Sequence, residues 1–146
     1  MQPSANHNSA ASNDQPTVLL AEDEAMVRAV MVHMLGKLGY RVLTAADGRA
    51  AVDLFNLHRA EVDLVIFDMA MPTMGGEELF SNLKRIAPQV KTLLTSGYHE
   101  RQAIDALMLQ GLSGFLPKPF NIADMQGKLD DILGDSWLPD TDSSAN

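Results

Sequence analysis

No cysteine occurs among the 146 residues of this chain. Disulfides, thiolate nucleophiles and cysteine-ligated metals are therefore excluded, and the composition fits a reducing compartment such as the cytoplasm. Basic residues are scarce: 11 Lys and Arg stand against 19 Asp and Glu, for a net charge of -8. With no basic cluster, direct nucleic-acid binding is not expected, because neutralising phosphates takes Lys and Arg. No apolar run approaches the roughly 20 residues of a membrane span, so no membrane insertion is expected. Met1 to Gln15 place no basic residue ahead of an apolar stretch, which argues against a signal peptide. A second domain is also not expected within these residues. A chain of 146 residues makes one domain with a real core, and the segment after the last helical pattern is too short to form another.

What the chain does have is a regular alternation of short apolar runs and helical periods. Residues 1–16 are polar and read as a disordered leader, and residues 135–146, with the only tryptophan, Trp137, read as a flexible tail. Between them lies one domain, residues 17–134. Thr17–Ala21, Tyr40–Ala45, Val62–Phe67, Val90–Thr95 and Gly114–Leu116 read as strands. Ala25–Leu38, a segment capped by Asp47 and running to His58, Gly76–Ile86, Arg101–Gln110 and a segment capped by Asn121 and running to Leu133 read as helices. Five β/α units with short links predict an α/β, three-layer sandwich around a doubly wound, five-stranded parallel sheet.

The strand ends carry the chemistry. Glu22 and Asp23 follow the first strand, Asp68 the third, Ser96 the fourth and Lys118 the fifth. Parallel strands align their carboxyl ends along one edge, where ligands of such sheets bind. Taken singly, each residue reads as a turn, a cap or a surface lysine. Together they put three carboxylates, a hydroxyl and an ammonium at one place. That set suits Mg²⁺ held by oxygens and a phosphoryl group placed on a carboxylate. Asp68 is the candidate phosphoacceptor, Glu22 and Asp23 hold the metal with it, and Lys118 and Ser96 address phosphoryl oxygens.

These segments resemble the receiver domain of two-component response regulators. The resemblance is carried by Val18 to Glu24, by Asp63 to Pro72, by Leu94 to Tyr98 and by Gly114 to Phe120, and it spans about residues 17–133. The Ser96-Gly97-Tyr98 wording is similar to receivers attached to hybrid histidine kinases. The resemblance implies a flavodoxin-like (βα)5 receiver with strand order 2-1-3-4-5. It implies a phosphorylation-dependent switch, not an enzyme acting on other substrates. Asp68 would take phosphate from a histidine kinase or a histidine phosphotransfer protein. The backbone carbonyl of Ala70 would join the metal ligands, Ser96 would move toward the phosphate, and Phe115 would swing inward. The Lys118-Pro119 bond would be cis. A downstream protein target, and a phosphorylation-dependent homodimer, belong to the same expectation.

The pattern has departures. Glu22 stands where Asp is commoner, Ser96 where Thr is commonest, and Pro117 removes a backbone donor, which suits an edge strand. Ala70 argues against a phosphatase of the haloacid-dehalogenase type, which needs a second Asp there. A flavin carrier would need a Ser/Thr-rich phosphate loop after the first strand, and none is present. His7, His33, His58 and His99 are scattered over different segments, so no histidine metal site is expected. Loop packing accounts for Met69, Met71 and Met74 better than a metal does.

The first helix carries more apolar residues than one buried face requires. Met31, Leu35 and Leu38 suffice as its core stripe. Val27, Val30 and Met34, with Met26 beside them, form a second stripe, expected to dock the upstream phosphodonor, with a wider core contact or a homodimer seam as the alternatives.

Overall fold

The computed structural model describes residues 15–97 and 101–134. The leader through residue 14, residues 98–100 with Tyr98 and His99, and the tail with Trp137 lie outside the described residues. Five strands and five helices alternate: β1 Thr17–Ala21, α1 Ala25–Lys37, β2 Arg41–Ala45, α2 Gly48–His58, β3 Val62–Asp68, α3 Gly76–Ile86, β4 Thr92–Ser96, α4 Arg101–Leu109, β5 Gly114–Pro117 and α5 Ile122–Leu133. All strand pairs are parallel, and the sheet order is β2-β1-β3-β4-β5, as expected.

The continuous apolar runs are explained by the two-residue period of a strand between two helical layers. Leu19, Ala21, Val65, Phe67 and Leu94 face one way. They pack with Ala51 and Phe55 of α2, Leu79, Phe80 and Leu83 of α3, and Ile104 and Leu107 of α4. Their neighbours Val18, Leu20, Leu64, Ile66, Leu93 and Leu116 face the other way, onto Met31 and Leu35 of α1 and Met125 and Leu129 of α5. Burying each of the Val, Leu, Ile, Phe and Met side chains contributes about 1.5–3 kcal/mol, so these two layers dominate the stability of the fold.

Local signals set the element ends. Asp47 caps α2 through a bond from the Ala50 amide at 2.8 Å. Asn121 caps α5 as expected, and Asp124 returns the bond to complete a capping box. Gly39 closes the α1 turn at φ 96°, a conformation that favours glycine. Several ends differ from the sequence reading. β4 starts at Thr92, because the Val90 amide is engaged in a turn with the Ala87 carbonyl. Pro16, placed in the leader by its composition, is buried, and its carbonyl accepts the Arg41 amide at 2.9 Å.

Candidate functional site

The register of the sheet decides which side chains meet. Ala21 pairs with Phe67, so Glu22 continues the row opposite Asp68. Asp68 pairs with Thr95, and Ser96 pairs with Pro117, which puts Lys118 one step beyond. The Lys118 amide donates to the Ser96 carbonyl at 2.8 Å, which ties the last loop to β4. The Lys118-Pro119 bond is cis. Counting by twos from Leu20, Ile66, Leu93 and Leu116 gives Glu22, Asp68, Thr95 and Lys118, all on the α1/α5 side of the sheet.

Asp68 is buried, and its Oδ1 takes the Lys118 ammonium at 2.7 Å. Lys118 Nζ also stands 3.7 Å from Glu22 Oε1. Carboxylate oxygens of Glu22, Asp23 and Asp68 lie within 4.8 Å of one another. Asp23 is exposed, whereas Glu22 is almost fully buried. Glu22 Oε2 accepts the Glu24 amide at 3.1 Å, but Oε1 is buried with no hydrogen-bond donor. The Arg28 guanidinium donates to the Glu22 backbone carbonyl at 2.7 Å and fixes the turn into α1.

Burial pushes the Glu22 carboxyl above its ordinary 4.5. The Glu24 amide and Lys118 pull against that, while Asp68 and Asp23 add to it. For Lys118, burial works to lower the ammonium's pKa. The hydrogen bond to Asp68 and the charges of Asp68, Glu22 and Glu24 outweigh that effect and hold it above 10.5. Three crowded carboxylates with one ammonium between them leave an excess of negative charge. An all-oxygen donor set with an orphaned buried oxygen fits a hard divalent cation such as Mg²⁺.

The loop after β3 is held close to this cluster. Met69 donates its amide to the Thr95 carbonyl at 3.2 Å and accepts the Gly76 amide at 2.8 Å. A Cβ on Gly76 would stand 2.8 Å from Met69 Cα and 2.9 Å from the Asp68 carbonyl, so only glycine allows α3 to start this near the acid. Ala70, next on the loop, is exposed.

Ser96 occupies the strand end assigned to it, but on the other parity. It is buried, and its hydroxyl donates to the Gly97 carbonyl at 3.2 Å. The hydroxyl that reaches Asp68 belongs instead to Thr95, at 3.4 Å from Oδ1. Sequence reading missed Thr95. Period-two counting from Leu93 would have found it. Phe115 on β5 is half-buried against the α2–α4 layer.

Met26 and Val30 of the second α1 stripe are 82% and 53% exposed, but Val27 and Met34 are half-buried. Val27 packs on the core, because the α1 contact is wider than three residues. These four, with Met31, Lys118, Pro119 and Phe120, line an apolar groove of about 350 Å³. Among the described residues no helix is long and apolar enough to cross a membrane.

The fold, the row of acids and the lysine together are those of a receiver. The model of the response regulator receiver domain matches residues 18–130, and the chain belongs to that family. It is therefore a receiver domain of two-component signalling. It is 38% identical over 117 residues to the sensor kinase CckA of Brucella abortus, covering 80% of this chain and 12% of that protein. It is 39% identical over 111 residues to the transcriptional regulatory protein PdtaR of Mycobacterium tuberculosis, covering 74% of this chain and 52% of the relative. The chain thus spans about half of one relative and a small part of the other. Among solved structures, chemotaxis protein CheY4 of Vibrio cholerae superposes with a TM-score of 0.74 at 28% identity, over 81% of this chain and 98% of that one. A receiver domain protein of Clostridium thermocellum gives 0.77 at 24% identity, covering 80% and 92%.

Proposed function

We propose that this chain is a phosphorylation-dependent switch in a two-component phosphorelay, working in the cytoplasm. Asp68 accepts the phosphoryl group from the phosphohistidine of a histidine kinase or a phosphotransfer protein. Its carboxylate forms the new O–P bond while the N–P bond of the donor breaks, and the electron pair stays on the imidazole. The observation that carries this reading is the buried Asp68 with an ammonium 2.7 Å from one oxygen and two further acids beside it. Glu22, Asp23, Asp68 and the Ala70 carbonyl would hold Mg²⁺, which supplies charge neutralisation for an anionic donor. Lys118 leaves Glu22 and Asp68 for a phosphoryl oxygen, and Ser96 turns from Gly97 toward another. Phe115, on the neighbouring strand β5, swings inward, and the surface around α4, β5 and α5 changes for a downstream protein partner.

The phosphodonor protein docks on α1. The groove there is apolar and continuous with the site, because Lys118 and Pro119 form one of its walls and Met26, Val27, Val30 and Met34 the other. A partner seated in it stands next to Asp68.

Incubation with acetyl phosphate and Mg²⁺, then intact-mass measurement, tests the reading. One added phosphoryl group is expected, and none after chelation with EDTA. An unchanged mass with both reagents present would overturn it.

A further inference from the structure

We infer that Thr95, and not only the strand-end Ser96, is a positioning residue for the phosphoacceptor. The inference rests on Asp68 being that acceptor. Thr95 is 1% exposed and lies in register with Asp68 across the β3–β4 pair. Its hydroxyl stands 3.4 Å from Asp68 Oδ1 and 3.5 Å from the Phe67 carbonyl. Lys118 takes the same Oδ1 at 2.7 Å. Two donors, one on β4 and one in the loop after β5, therefore converge on one oxygen, and among the described residues neither bonds Oδ2. An ammonium alone is a point charge on a flexible stem and leaves the carboxylate free to rotate about Cβ–Cγ. A second donor, on a β-branched side chain locked in a strand, fixes the carboxylate plane.

With the carboxylate plane fixed, a lone pair on an Asp68 carboxylate oxygen forms the O–P bond to acetyl phosphate, the P–O bond to acetate breaks, and the electron pair leaves with acetate. No proton is transferred. The two successive hydroxyls then divide their work. Thr95 aims the carboxylate before transfer, and Ser96, on the other parity, is free to address the phosphoryl group afterwards.

The test compares wild type, Thr95→Val, Thr95→Ser and Asp68→Ala. Phosphorylation rates with acetyl phosphate at saturating Mg²⁺, Mg²⁺ affinity by calorimetry and thermal midpoints are measured on each. Thr95→Val should lower the rate constant about fivefold, the equivalent of roughly one ordinary hydrogen bond. Its Mg²⁺ affinity should stay within about twofold, since the hydroxyl is not a metal ligand. Thr95→Ser should restore the rate, because it keeps the hydroxyl. A Thr95→Val protein that transfers at the wild-type rate, whatever its thermal midpoint, overturns the inference, as does a Thr95→Ser protein as slow as Thr95→Val. No phosphorylation of wild type, or persistent phosphorylation of Asp68→Ala, would instead overturn the acceptor assignment.

Discussion

At the scale of single residues, the site is built on an imbalance of charge. Lys118 is shared between Asp68 at 2.7 Å and Glu22 at 3.7 Å, and the shorter contact leaves Glu22 Oε1 without a donor. A buried oxygen in that state costs about 1–3 kcal/mol unless a ligand covers it. Glu22→Gln removes the buried charge and its repulsion with Asp23 and Asp68. In the metal-free protein it should raise stability by about 1 kcal/mol, read from urea unfolding in EDTA. Mg²⁺ affinity should fall in the same variant. A variant that is less stable without metal, or that binds Mg²⁺ as well as wild type, would show that Glu22 is structural. The acids and Lys118 were legible in the sequence because each ends an apolar strand. Thr95 was not, because a threonine inside a strand reads as an ordinary β-former until its parity with Asp68 is counted.

At the scale of elements, α1 serves two surfaces. Met31 and Leu35 are buried against β1 and β3, as the core stripe required. The second stripe divides: Met26 and Val30 stay exposed, while Val27 and Met34 are half-buried where they line the groove. Sequence periodicity gives the angle of a residue around the helix but not how far neighbouring loops climb. Here the Lys118-Pro119-Phe120 loop rises against α1 and turns an exposed stripe into one wall of a groove. Val30→Asp should leave folding and acetyl phosphate labelling unchanged and slow transfer from a phosphohistidine donor at least about tenfold, as loss of a central apolar contact does. Loss of fold would assign Val30 to the core. Conversion of a wild-type dimer to a monomer would assign the face to self-association. The element ends were read less well than the elements. The Asn121 cap was read from the sequence, whereas the late start of β4 depends on which amides are already bonded, and a single sequence does not display that.

At the scale of the whole molecule, two apolar layers hold a sheet whose one edge is charged. The alternation of buried residues on both faces makes the strands continuous apolar runs, which is why their order in the chain and their helical links could be read directly. The 2-1-3-4-5 order came from the resemblance rather than from any pattern in the strands, and the sheet pairing bears it out. That order is what brings Asp68 to the middle of the edge, with Glu22 on one side and Thr95 and Lys118 on the other. The central claim is that Asp68 carries the phosphoryl group, and borohydride trapping tests it most directly. After labelling with acetyl phosphate and Mg²⁺, borohydride reduces an aspartyl phosphate to homoserine, and peptide mass spectrometry then locates it. The account predicts homoserine at position 68 and nowhere else, dependent on Mg²⁺. Homoserine at another acidic position, or an intact aspartate at 68 in phosphorylated protein, would contradict it.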